Sequence, residues 1–593
     1  MKILLLLLIK ISFSNSYELI KINGANYIIK KLNQYGINTV FAYPGGANLK
    51  LMDSLYKSNI KTIVNRHEQF SGFSAEGYSK STNNKKIGCV ITTSGPGLTN
   101  IITPLQDSYS DGIPLLAISG QVDSKKLGSS AFQECDATSL TKPCTKYNKL
   151  IKNIFELSEY FDIAIQIAMT TVGRKGPVHL DICSNVFNEE IFIDEKHFAL
   201  HKHDINIITK DIIYLNNIQI ISFYDIYNVL IKAKKPVLIV GQGCSEYYKN
   251  VREFIKKFNL PTATTLHGLG IIDENDNYAL EMLGMHGSYA ANNAIQEADL
   301  IIGLGYRFDD RTIGNINLYA LNAKNNFGII HIDISQEKID EVKRIINPKY
   351  SLLMNCNDFI NKMFKILTIT NPTINNNKWI EYINQLKTKH PFTTDKGMNI
   401  PYIIKKLSDK FQNQNKENYL ICSGVGVHQM NIAQYFTWKY PNTFLTSGSQ
   451  GSMGSCLGFG IGAQLANPDK TIICIDGDGS FMMSCNDLMT IVEYNLPIKI
   501  FIMDNENLGM VSNWQDDFYN NVRAFSQLSN PNFCKLADAF GIKSIKCESD
   551  DDISKCFEEI NSNYPVLIHF KVKQQKCLPF VEPGKALNDM VLE

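Results

Sequence analysis

Short apolar runs that break abruptly at glycine recur along the chain, and this pattern constrains the fold more than any other feature. Thr39-Val40-Phe41-Ala42 runs into Pro44-Gly45-Gly46, Ile87–Thr93 into Ser94-Gly95-Pro96-Gly97, and Pro114–Ser119 into Gly120. Val237–Val240 ends at Gly241-Gln242-Gly243, and Thr471–Ile475 leads into Asp476-Gly477-Asp478-Gly479-Ser480. Runs of about four to eight residues bounded by turn signals read as buried strands. Amphipathic, helical stretches separate them. The alternation predicts an α/β fold of mainly parallel sheets flanked by crossover helices, with ligands at the loops beyond the strand ends.

Length sets the number of such sheets. At ~150 residues per domain, 593 residues accommodate three large units. The runs fall into three blocks, 18–190, 220–368 and 395–575, joined by residues 191–219 and by an Asn-rich segment at 371–377. Residues 1–17 carry a short apolar run, Ile3–Ile9, followed by a polar stretch, and read as a leader or a disordered extension. Seven apolar residues fall well short of the ~20 needed to span a bilayer. Lys and Arg number 59 against 58 Asp and Glu, so no positive excess exists for a nucleic-acid backbone. The 14 cysteines are scattered without a CxxC pair, which excludes a zinc ribbon and reads as reduced, buried thiols. That usage points to the cytoplasm or an organelle rather than to secretion.

The third block carries the sharpest chemical signal. Gly477-Asp478-Gly479-Ser480 closes one strand, and Asn505 follows 27 residues after Asp478, just past a second strand at Ile498–Met503. A carboxylate between glycines sits where the backbone can approach a diphosphate closely. Asn505 and a backbone carbonyl at Asn507 can complete a shell of hard oxygen donors of the kind Mg²⁺ prefers.

Together with Tyr43-Pro44-Gly45-Gly46-Ala47, Arg66-His67-Glu68-Gln69, Thr93–Gly97, Ala131-Phe132-Gln133-Glu134 and Arg307-Phe308-Asp309-Asp310-Arg311, this motif resembles the catalytic subunits of the acetolactate synthase (acetohydroxyacid synthase) family. The likeness runs from about Lys21 to the end of the chain. It implies thiamine diphosphate, Mg²⁺ and FAD as cofactors. Glu68 would hydrogen-bond the aminopyrimidine ring, Gly46 and Gln133 would face the reacting carbon, and Met453 would wedge the cofactor into its bent form. Gly426, His428, Gln429, Gly451, Gly477, Gly479, Ser480, Gly509 and Met510 match cofactor-binding positions of the third block, with Asp478, Asn505 and Asn507 holding the metal. Arg174, Gly241, Gly243, Met285, His286, Arg307, Asp309, Asp333 and Ile334 match flavin contacts. Arg311 and Trp514 match the pair facing the second 2-ketoacid.

The implied reaction is decarboxylation of pyruvate and transfer of its two-carbon unit to pyruvate or 2-oxobutanoate, at the head of branched-chain amino acid synthesis. The implied assembly is a homodimer or higher, with room for a small regulatory subunit and with no nucleic acid or membrane. The chain departs from the family at Gly424, where aspartate is usual, at Val427, where glutamine is usual, and at Cys183-Ser184-Asn185, where Pro-Lys-Asp is usual. Asp123 and Asn507 also differ from the common residues. Two other readings stay open, another thiamine-dependent 2-ketoacid decarboxylase or carboligase and a flavin-binding pseudoenzyme.

Overall fold

The computed structural model describes residues 19–170, 173–194, 223–372, 374–412, 414 and 416–592. The reading of residues 1–17 lies outside them. Three six-stranded sheets, each parallel throughout, occupy the three blocks. The first is ordered Lys61–Val64, Thr39–Ala42, Gly88–Thr92, Leu115–Gln121, Pro177–Cys183, Tyr147–Ile151. The third is ordered Phe444–Leu445, Tyr419–Ser423, Thr471–Gly477, Lys499–Asp504, Val566–Lys571, Lys543–Cys547. With strands counted in chain order, both sheets read 2-1-3-4-6-5. The middle sheet, Ala279–Met282, Thr262–Thr264, Pro236–Val240, Leu300–Leu304, Gly328–Asp333, Tyr350–Leu353, reads 3-2-1-4-5-6, the order of dinucleotide-binding folds.

The central strands are mainly apolar because helices cover both faces. Gly88–Thr92, Pro236–Val240, Leu300–Leu304 and Lys499–Asp504 are buried at every residue. Two expectations need correction. The strand placed at Pro114–Ser119 does not stop at Gly120 but continues to Gln121. Gly120 serves a close approach instead, since a Cβ there would lie 2.8 Å from the Ala47 carbonyl oxygen. Residues 191–219 do not begin as a linker, because Glu190–Asp194 pairs antiparallel with Leu19–Asn23; beyond residue 194 this segment lies outside the described residues up to residue 223.

The first and third blocks share one hydrophobic core, which runs from Phe41 and Phe73 to Phe459 and Leu567. Its seam is a pair of helices, Glu68–Lys80 and Cys456–Ala466, in near backbone contact. Three glycines permit this. A Cβ on Gly462 would lie 1.9 Å from Ser74 O, one on Gly77 2.4 Å from Phe459 O, and one on Gly458 2.6 Å from Phe73 Cβ. The C-terminal segment then crosses to the middle block, where Val581 N donates to Met285 O at 2.7 Å and Leu587 is buried in that block's core.

Gly462→Ala tests the seam. Helix propensity alone favours alanine by about 1 kcal/mol, whereas overpacking against Ser74 O costs about 1–3 kcal/mol. We expect a net loss of stability, read as a lower urea midpoint. An unchanged or raised midpoint would refute the close contact.

Candidate active site

A cavity of about 970 Å³ opens where the strand-end loops of the middle and third sheets face each other. Every cofactor, metal and substrate residue singled out in those two blocks lines it. The third block contributes Gly426, His428, Gln429, Gly451, Met453, Gly477, Asp478, Gly479, Ser480, Asn505, Asn507, Gly509, Met510 and Trp514. The middle block contributes Gly241, Gly243, Met285, His286, Arg307, Asp309, Arg311, Asp333 and Ile334, and Arg174 reaches in from the first block.

The third-block wall lies between the first and third strands in chain order, where the order of the strands reverses. Glycine is required there: a Cβ on Gly424 would meet Asp476 Oδ1 at 2.1 Å, and one on Gly477 would meet His428 Nδ1 at 2.9 Å. Asp478 starts the helix Asp478–Met482 and is buried. Burial pushes its carboxyl up to about 6, against a hydrogen bond from Asn530 Nδ2 at 2.6 Å and with the charge of Asp504 adding to the rise. Asn530 also donates to Asp504 Oδ1 at 2.9 Å. Burial pushes Asp504 up as well, but the His569 hydrogen bond at 2.8 Å and the Lys571 ammonium at 3.2 Å outweigh it and hold the group near 2. Asp504 is thus compensated by cationic and donor partners, whereas Asp478 lines the cavity with the Asn530 amide and backbone N–H groups as its partners. An oxygen-rich cavity wall with a buried carboxylate of this kind fits a divalent cation. Asn505 adds an amide whose Oδ1 accepts from Asn507 N at 3.1 Å, while Asn507 Nδ2 donates to Asn505 O at 2.7 Å.

The middle-block wall is built at the corresponding reversal. A Cβ on Gly241 would lie 2.1 Å from Gly305 O, and one on Gly243 2.9 Å from Gly305 Cα. Two glycine loops therefore interlock at the cavity edge, as a close-approaching ligand needs. Asp333, at a strand end, accepts from Ser335 N at 2.8 Å through Oδ1, and burial raises its carboxyl above the usual range. Arg174 Nη2 and Arg307 Nη1 both donate to the Ser110 carbonyl at 2.7 Å. Desolvation, and then the neighbouring Arg307 charge, lower the Arg174 guanidinium. Two guanidiniums converging on one carbonyl fit an anionic group such as a pyrophosphate. His286 is pushed down to about 4 by burial and is neutral. Arg311 is exposed, with Nη1 3.2 Å from Met285 Sδ. The half-buried Trp514 packs edge-on to Phe518, ring centres 5.4 Å apart.

Glu68, Gly46 and Gln133 do not line this cavity. They lie in the segments that follow strands of the first sheet, Gly46 after Thr39–Ala42, Glu68 after Lys61–Val64 and Gln133 after Leu115–Gln121. Glu68 is half-buried and accepts from Asn100 Nδ2 at 3.0 Å. Gly46 is exposed, with nothing within 4 Å of where its Cβ would stand. Gln133 holds a left-handed backbone at φ 63° against Gly95.

A polar junction that the sequence did not reveal ties the cavity walls together. Lys80 is buried, with its ammonium 2.8 Å from Glu76 Oε1, 3.1 Å from Asp111 Oδ2 and 2.9 Å from Thr446 O. His267 Nε2 lies 3.0 Å from Asp111 Oδ2, and Ser447 Oγ donates to Asp107 at 2.7 Å. All three blocks meet there. Burial, then the Asp107 charge, raises Glu76 well above the carboxylate range, while His267 and Lys80 overcome burial to hold Asp111 well below it. Three carboxylate oxygens within 4.8 Å of one another are thus served by an internal ammonium. Among the described residues the cysteines form no disulfide, and no helix is long and apolar enough to cross a membrane.

Comparison with known proteins agrees with this geometry. Models of the thiamine pyrophosphate enzymes match in three parts: the N-terminal TPP binding domain at residues 22–140, the central domain at 225–363 and the C-terminal TPP binding domain at 424–570. The protein is a thiamine-diphosphate-dependent enzyme. The mitochondrial acetolactate synthase of Schizosaccharomyces pombe is 38% identical over 94% of this chain and 85% of its own length. The acetolactate synthase isozyme 2 large subunit of Escherichia coli is 35% identical over 96% and 99%, and chloroplastic acetolactate synthase 1 of Nicotiana tabacum is 34% identical over 96% and 85%. The chain belongs to the acetolactate synthase family.

The junction has a direct test. Lys80→Met removes the ammonium that pairs with Glu76 and Asp111, and breaking a buried ion pair costs about 3–5 kcal/mol. We expect a correspondingly lower urea midpoint; a loss under about 1 kcal/mol, the range of exposed pairs, would show the network to be solvated instead.

Proposed function

We propose that the protein is an acetolactate synthase catalytic subunit that decarboxylates pyruvate and joins the two-carbon unit to a second pyruvate or to 2-oxobutanoate, the first common step of valine, leucine and isoleucine synthesis. One observation supports this above the rest: a single cavity gathers the Asp478 and Asn505 oxygen donors, the Arg174–Arg307 pair and the Arg311–Trp514 wall. Thiamine diphosphate, when bound, supplies the electron sink that stabilises the carbanion left by loss of CO₂.

The chain's own residues do the remainder. Asp478, the Asn505 amide oxygen and the Asn507 carbonyl would hold Mg²⁺, whose positive charge would offset the negative charge of a bound diphosphate. Gly426, Gly477 and Gly479 let the backbone reach those phosphates, with His428, Gln429, Gly451, Ser480, Gly509 and Met510 closing the wall and Met453 filling the bend. Gly241, Gly243, Asp309, Met285, His286 and Ile334 bed the flavin nucleotide, with Arg174 and Arg307 on its pyrophosphate and Asp333 accepting ribose hydroxyls. The net reaction moves no electrons between substrate and flavin, so FAD acts as a structural bridge. Arg311 takes the carboxylate of the second ketoacid, and Trp514 bounds its alkyl group.

Glu68 requires a second copy of the chain. It begins the helix Glu68–Lys80 and does not line the cavity of its own chain, and the first block exposes the apolar side chains of Phe132, at 87%, and Leu49, at 59%. In a homodimer the partner's Glu68, Gly46 and Gln133 would close the cavity, and the Glu68 carboxyl, steadied by Asn100, would share its proton with a ring nitrogen of the bound pyrimidine. Relatives named as large or catalytic subunits support a small regulatory subunit as a further partner. Relatives named mitochondrial and chloroplastic and the free thiols support a cytoplasmic or organellar site.

The deciding experiment supplies pyruvate, thiamine diphosphate, Mg²⁺ and FAD to the purified protein. Acetolactate is expected; acetaldehyde alone would identify a decarboxylase, and no product a pseudoenzyme. Glu68→Gln and Asp478→Ala should each lower turnover by about 10²-fold or more. Mixed after dissociation and reassembly, they should recover about a quarter of wild-type activity, because half of random dimers hold one intact site. No recovery in demonstrated mixed dimers would place Glu68 and Asp478 in a site within one chain. For Trp514→Leu we expect a five- to thirtyfold change in the acetolactate to acetohydroxybutyrate ratio, about 1–2 kcal/mol of acceptor selection; a constant ratio with a lowered melting temperature would leave Trp514 as packing.

A further inference from the structure

We propose that Gln574 is a positioning residue that holds the Asn505 amide with its oxygen, not its nitrogen, toward the metal. The inference rests on the metal reading above and adds a residue to it. The two ends of a primary amide have nearly the same shape, so shape alone does not decide which end faces a cation. Hydrogen-bond partners decide it.

Asn505 Nδ2 donates to Gln574 Oε1 at 2.7 Å. Gln574 Nε2 donates to the Gly509 carbonyl at 3.0 Å and to Asn513 Oδ1 at 2.8 Å. Asn513 Nδ2 donates to the Gln575 carbonyl at 3.1 Å. The chain of three amides therefore ends on two backbone carbonyls, which only accept and cannot rotate. The Gly509 carbonyl requires the NH₂ of Gln574, so Gln574 must present its oxygen to Asn505. The Gln575 carbonyl requires the NH₂ of Asn513, which returns an oxygen to Gln574 and reinforces the same orientation. Flipping any one amide sets oxygen against oxygen or N–H against N–H.

Asn505 is left with Oδ1 pointing away from Gln574. One lone pair accepts from Asn507 N at 3.1 Å, and the other is available to a cation on the cavity side. Without Gln574 the amide is free to present N–H to the metal, which repels it. Gln574 is held beside this loop because it follows the strand Val566–Lys571, and Val572 N donates to Asp504 O at 2.9 Å. Support of this kind around a metal ligand typically changes affinity by about 10–100-fold.

The probe is Mn²⁺, titrated into FAD-loaded protein with saturating thiamine diphosphate and read by loss of the free-ion electron paramagnetic resonance signal. Gln574→Leu should weaken Mn²⁺ binding by about 10–100-fold while flavin content and melting temperature stay at wild-type values. In an Asn505→Asp background both ends of the side chain are oxygen, so orientation no longer matters and adding Gln574→Leu should change affinity by less than about twofold. If Gln574→Leu does not load flavin, Gln574→Glu is read in its place. Its second oxygen opposes Gly509 O and Asn513 Oδ1, and the same weakening is expected. Wild-type Mn²⁺ affinity in the folded Gln574 variant, or an equal loss in the Asn505→Asp background, would overturn the proposal. Asp478→Ala separates the two levels of the argument: if it too leaves Mn²⁺ binding unchanged, the metal site itself is misplaced, whereas a loss confined to Asp478→Ala refutes only the role of Gln574.

Discussion

The Lys80 ammonium is buried where the three blocks meet, and the shape of the cavity depends on that contact. Asp111 and Gly112 line the cavity from the first block, His267 from the second and Ser447–Ser449 from the third. Asp111 binds elements of the other two blocks directly, through His267 Nε2 and through the backbone N–H groups of Gly448 and Ser449 at 3.3 and 3.1 Å. His267 and then Lys80 offset the burial of Asp111 and hold its carboxyl low there. A buried charge network adds little net stability compared with an apolar packing of the same volume, but it tolerates few alternative arrangements. Its effect is to fix the register of three sheets that share few covalent constraints. The close glycine seam between Glu68–Lys80 and Cys456–Ala466 carries Lys80 to that point, so the seam and the junction act as one device.

The identical strand order of the first and third sheets gives each a reversal point of the same kind, and the two serve different ends. The third sheet's reversal opens on the cavity of its own chain. In the first sheet the segments that follow the strands carry Glu68, Gly46 and Gln133, which do not line that cavity. The middle sheet, with its different order, presents paired glycine loops and two guanidiniums beside the Asp478 wall. The cavity is therefore positive on the Arg174–Arg307 side and negative at Asp478. Two anionic groups fit it only if each finds its own counter-charge, one from guanidiniums and one from a divalent cation. That division of charge follows from the chain's own residues and agrees with a site for two phosphorylated cofactors.

How much of this was legible in the sequence follows from burial. Central strands covered on both faces are mainly apolar, so Leu300–Leu304 and the Ile472–Ile475 part of Thr471–Gly477 stand out as runs. Edge strands escape notice for the opposite reason: Lys543–Cys547 and Tyr147–Ile151 carry lysines and asparagine among their residues. The interior strand Thr262–Thr264 escapes notice because it is only three residues long. Site residues in loops directly after buried strands were likewise legible, because chain order places them there. Asn530, His569 and Gln574 were not. Each reaches the site through space, from segments without a motif, and Gln574 lies 69 residues beyond the asparagine it orients. Asp504 was the readable omission, since it ends the strand immediately before Asn505.

Val427 shows how far a departure from the family pattern can be weighed from structure. It is buried in the third block's core cluster and begins the helix Val427–Tyr435 at the cavity wall. A glutamine there would offer a side-chain donor to a diphosphate, and valine offers none. The wall nevertheless keeps its backbone geometry, because the approach is set by Gly424, Gly426 and Gly477 rather than by the side chain at 427. The loss is thus one hydrogen bond among several, about 1 kcal/mol or five- to tenfold in affinity, while the carboxylate and amide that would fix the metal remain in place. A substitution of this size tunes how tightly the cofactor is held and leaves the arrangement of reacting groups intact.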